Sequence, residues 1–117
     1  MSQSGVFVDG VEIDGRCCTG FTLVAETFGH TLNLLTDPEI EVERLQDEAF
    51  HRACLFAQRL TIEGVAKVTP DMVLELSGTD GRLLLSADAV LMQRRLEFRS
   101  QAQTAAQTDS SPAETGH

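Results

Sequence analysis

At 117 residues the chain has the length of one domain, and 42% hydrophobic residues suffice for a modest core. Nine Lys and Arg stand against 18 Asp and Glu, for a net charge of -9; the few cations are scattered, which argues against a grip on nucleic-acid phosphates. No apolar run approaches the roughly 18 residues of a membrane span, and MSQSGVFVDG lacks the basic-then-apolar pattern of a secretory signal. A cytoplasmic protein with reduced thiols is therefore expected.

The first elements read as strands. VFV and VEI flank Asp9-Gly10, a hairpin signal because both turn positions need positive φ. Asp14-Gly15 follows, then RCCTGFTLVAE, where Thr19, Phe21, Leu23 and Ala25 alternate with smaller or more polar residues. Two or three short strands are predicted, too few to stand without support. Thr36-Asp37-Pro38-Glu39 then combines a cap, an early proline and a Glu three residues after Thr. It predicts a helix to about residue 62, with Val42, Leu45, Ala49, Ala53, Phe56 and Leu60 on one face. Thr69-Pro70 opens a short helix through Leu76. SGTDG breaks the chain, with Thr79 or Asp80 as the next cap, and a last helix covers about 81–99. QAQTAAQTDSSPAETGH carries no large apolar residue and predicts a disordered tail over 101–117. The expected fold is α+β: a small N-terminal β-hairpin or meander, then a three- to four-helix bundle, all within one domain over 1–100.

Candidate chemistry is sparse. His51 and Cys54 lie one helical turn apart and, on the predicted long helix, share its outer surface. A closed zinc site needs four converging ligands, and Cys17 and Cys18 point to opposite faces of a strand. A reactive thiol wants a helix N-terminus or a cationic neighbour, whereas Cys54 falls in mid-helix. No phosphate loop, GxSxG elbow or HExxH motif is present. The expectation is no catalytic residue, no cofactor and no metal. The last helix is more informative. Leu83, Leu84, Ala87, Val90, Leu91 and Phe98 form its expected core face, while Leu85, Ala89, Met92 and Leu96, at i, i+4, i+7 and i+11, form a second apolar stripe. Such a helix is either sandwiched in the fold or shares a face with a partner. Phe50, Cys54 and Ala57 make a shorter second stripe on the preceding long helix, where burial in the core is favoured over a binding face. The candidate protein-binding residues are Leu85, Ala89, Met92, Leu96 and Phe50.

The order of FTLVAETFGHTLNLL, CLFAQRLTIEG and VAKVTPDMVLELSGTDGRLLLSADAVLMQRRLEF resembles the tail assembly chaperones of long-tailed phages. The shared pattern is a hairpin with FTLR-like sequence, a T-x-G turn, a helix ending in leucine and a threonine-proline-led segment. A D-x-x-x-L-x-x-A helix closes it, here Asp80, Leu84 and Ala87. The likeness covers about residues 6–99, with Val24 where the family commonly has Arg and His30 where it has Asp. It implies a non-catalytic protein in the bacterial cytoplasm that binds the tape measure protein, helps tail tube proteins polymerise around it and is absent from the virion. Longer frameshifted forms are made by many members. The candidate partners are thus the tape measure and tail tube proteins, a longer form of itself and, from the spare stripe, a second copy; neither nucleic acid nor membrane is expected. The competing expectation is a minor structural tail or baseplate protein retained in the particle.

Overall fold

A computed structural model describes residues 1–114, with side chains through residue 102. Strand β1, Ser2–Ile13, turns at Asp14-Gly15 into β2, Arg16–Val24. Both turn residues have positive φ, 51° and 78°, as a tight hairpin with right-handed twist requires. Asp9-Gly10, read above as a hairpin of its own, lies inside β1 instead. Pairing with β2 shifts register between Val6 and Val11, and Gly10 sits at φ 75°. The Asp-Gly signal there encodes a bulge: a Cβ on Gly10 would lie 2.4 Å from the Cys18 carbonyl oxygen.

A helix α1 that the sequence did not announce covers Phe28–Thr36, and the segment expected as one long helix after Thr36 breaks into a 3-10 turn, Val42–Gln46, helix α2, Glu48–Arg59, and a final strand. Thr36 closes a helix rather than opening one, its hydroxyl donating back to the Leu32 carbonyl at 3.0 Å. The cap that opens α2 is Asp47, whose carboxylate accepts from the Ala49 amide at 3.0 Å and the Phe50 amide at 3.4 Å. Strand β3, Leu60–Ile62, then pairs antiparallel with β2, giving a three-stranded sheet of order β1-β2-β3. The third strand therefore comes from beyond α2 and not from the N-terminal segment.

Helix α3, Pro70–Leu74, is capped by Thr69 as predicted, its hydroxyl accepting from the Met72 amide. Helix α4, Gly78–Glu114, follows. Its first-turn acceptor is Ser77, 3.1 Å from the Asp80 amide, in place of Thr79 or Asp80. The α4 backbone continues past 99 to Glu114; of this stretch, residues 101–107 form a glutamine- and alanine-rich run of good helix propensity. Most of the tail expected over 101–117 lies outside the described side chains, and 115–117 lie outside the described residues altogether.

The fold is α+β, a three-stranded antiparallel sheet with helices α1 to α4. Phe7 and Phe21 stack at 4.3 Å between ring centroids on the covered face of the sheet. Leu23 and Ile62 extend that layer, and Leu84, Ala87 and Leu91 of α4 close it together with Phe56 of α2. A second cluster joins Leu34 of α1 to Phe50 and Cys54 of α2. Helices α1 and α3 gather around α2, whereas α4 packs mainly on β1.

Candidate functional site

Helix α4 presents two rows of side chains that differ sharply in their surroundings. The inner row is Asp80, Leu84, Ala87 and Leu91, each under 10% exposed. The outer row is the inner one displaced by five residues, roughly 140° around the helix axis. There Leu85, Met92 and Leu96 are 51%, 59% and 54% exposed, and Ala89 is exposed with them. The sequence left open whether this stripe is sandwiched or free; in this chain it faces solvent. Val90 and Phe98, expected on the core face, are exposed too. The sheet ends before Phe98 is reached, so the helix outruns the layer it covers.

The inner row begins with a buried charge. Asp80 is wholly buried, and its carboxylate accepts from the amides of Val8 at 2.7 Å, Asp9 at 3.1 Å and Gly10 at 2.8 Å. These are the amides that the β1 bulge leaves unpaired. Burial pushes the carboxyl up, but hydrogen bonds from Gly10, Val8, Asp9 and Ser77 outweigh that and hold it below the ordinary aspartate value. A second clamp lies further along the helix. Arg59, 4% exposed, donates through Nε to the Val24 carbonyl at 3.0 Å and through a terminal nitrogen to Asp88 of α4. Glu26 stands 3.8 Å from its other terminal nitrogen. Arg95 donates to the Glu26 carbonyl. One face of α4 is thus fixed by buried polar contacts and packing while the stripe stays open.

The remaining candidates resolve differently. Phe50, carried above as protein-binding, is buried in the second cluster at 6% exposure, with the Arg44 guanidinium 3.8 Å over its ring. It belongs to the core. Cys54, expected on the outer surface beside His51, is buried at 1% exposure. The cause is α1, which the sequence reading did not resolve and which covers a second face of α2. Burial pushes the Cys54 thiol up, with Arg44 opposing, so it is a poor nucleophile. Cys17 is exposed and Cys18 buried, as opposite strand faces dictate. Native protein should therefore react with one equivalent of a thiol reagent rapidly, at Cys17, and with two more only on unfolding. Rapid loss of all three thiols would contradict this packing.

Helix α1 adds exposed apolar residues of its own. Phe28, Leu32 and Leu35 are 73%, 46% and 58% exposed at i, i+4 and i+7. Their spacing was available in the sequence, in a segment between the strands and the Thr36 cap to which no element was assigned. Contiguous exposed apolar side chains of this kind mark interaction surfaces. No helix among the described residues is long and apolar enough to cross a membrane. Comparison with family models, curated proteins and solved structures finds no match for the chain.

Proposed function

We propose that this chain is a non-catalytic phage tail assembly chaperone whose α4 stripe shields apolar segments of the tape measure protein during tail tube assembly. The observation that carries the reading is the exposure of Leu85, Met92 and Leu96 on a helix whose opposite face is anchored by Asp80 and Arg59. A rigid helix presenting large apolar side chains pays little ordering entropy on binding. Large apolar anchors suit a client that must be kept from aggregating. The sequence likeness to tail assembly chaperones supports the same reading, since Asp80, Leu84 and Ala87, which carry it, are the residues that seat α4. Mass spectrometry of infected cells and of purified virions tests the proposal. The chain should be abundant in the lysate and missing from the particle; a fixed copy number in purified virions would make it a structural tail protein instead.

A further inference from the structure

Over residues 2–8 the outer edge of β1 is closed at both ends and open in the middle. Ala25 donates its amide to the Met1 carbonyl at 3.0 Å, so by the alternation of an antiparallel ladder residues 3 and 5 also face β2. Residues 2, 4, 6 and 8 then turn their backbone groups outward. The Ser2 carbonyl accepts from Arg94 at 3.1 Å, and the Val8 amide is held by Asp80 at 2.7 Å. Between them, the outward N–H and C=O of Ser4 and Val6 meet no partner among the described residues. Natural edges are usually blunted by charge or proline, yet SQSGVFV, residues 2–8, carries neither.

Beside this gap runs a groove of about 190 Å³ between β1 and α4. Gln3 to Val6 form one wall, with Ser86 and Val90 on the other and Phe21 in between. Gly5 is what admits the Phe21 ring, since a Cβ there would lie 2.7 Å from Cζ. The groove lining holds no charged residue. On α4 the row Arg82, Ser86, Val90, Arg94 runs at i+4 spacing, so an arginine brackets each end in a chain of net charge -9. We propose that residues 4–6 of β1 accept an extended segment of a partner polypeptide as a fourth strand. That segment is apolar where it enters the groove and acidic at its ends, opposite Arg82 and Arg94. The open edge, residues 4–6, spans about 10 Å, which sets the paired core of the recognised segment at three residues between its acidic ends. This site is distinct from the α4 stripe and does not rest on the chaperone reading.

The test uses the full chain, isotopically labelled for NMR, and a panel of pentapeptides of pattern acid–apolar–Thr–apolar–acid, with Val, Ile or Leu at the apolar positions. Saturable shifts should centre on the Ser4 and Val6 amides, and N-methylation of the peptide amides that face the edge should abolish them. Val6→Pro removes an outward N–H that the ladder to β2 does not use, and should weaken binding about tenfold. Val90→Glu, at an exposed position on the helix wall of the groove, should weaken it as well by opposing the peptide carboxylates, and it keeps the test intact if the proline variant unfolds. Absence of saturable shifts up to millimolar peptide, shifts confined to other surfaces, or binding unaffected by Val90→Glu would overturn the proposal. So would a dimer of the free chain that Val6→Pro dissolves, which would assign the edge to self-pairing.

Discussion

Asp80→Asn should destabilise the fold by about 3 kcal/mol at neutral pH, and circular dichroism should show the melting temperature falling by roughly 15 °C. The carboxylate accepts three backbone amides from one bulge, and a hydrogen bond to a charged acceptor contributes about 1.5–3 kcal/mol. Asparagine keeps the volume but sets an NH2 among donors, so at least one buried amide is left unpaired. Domains of this size have about 5–15 kcal/mol in total. The pH dependence has a definite sign. Because the folded carboxyl lies below the ordinary value of 3.8, its contribution is fully present above that value and is lost as pH falls through the folded one. The gap between wild type and Asp80→Asn should stay constant from neutral pH to about pH 4 and close below it. A gap that widened on acidification would refute this role for Asp80.

Met92→Lys combined with Leu96→Glu should leave the domain folded and abolish association. Both positions are more than half exposed, so the melting temperature should hold within the few tenths of a kcal/mol typical of surface changes. Burying one large apolar side chain on a partner contributes about 1.5–3 kcal/mol; losing two weakens binding about a hundredfold or more. Quantitative pull-down with the tape measure protein, alongside circular dichroism, separates the outcomes. A folded variant that binds as before would remove the stripe from the interface. An unfolded variant would mean that the stripe is buried after all.

The sequence disclosed the fold class and α4 because their signals are local. Asp14-Gly15 dictates a tight turn, Thr69-Pro70 a helix start, and the four-and-three spacing of Leu85, Ala89, Met92 and Leu96 a continuous stripe. What it concealed is tertiary. Asp9-Gly10 has the same local signature as a hairpin turn, and only Asp80, about seventy residues on, satisfies the amides that make it a bulge. Leu60–Ile62 is too short to announce a strand and takes its state from β2. Cys54 and Phe50 read as a second stripe because the partner that buries them, α1, was hidden by its β-like leader. Arg59 carries no sequence signal, since its burial depends on Val24 and Asp88 meeting it from separate elements.

Solubility of the tape measure protein in co-expression tests the central claim most directly. Expressed alone it should pellet; with this chain it should remain in the supernatant and co-elute, and with Met92→Lys/Leu96→Glu it should pellet again. A tape measure protein that pellets equally with and without the wild-type chain would contradict the account.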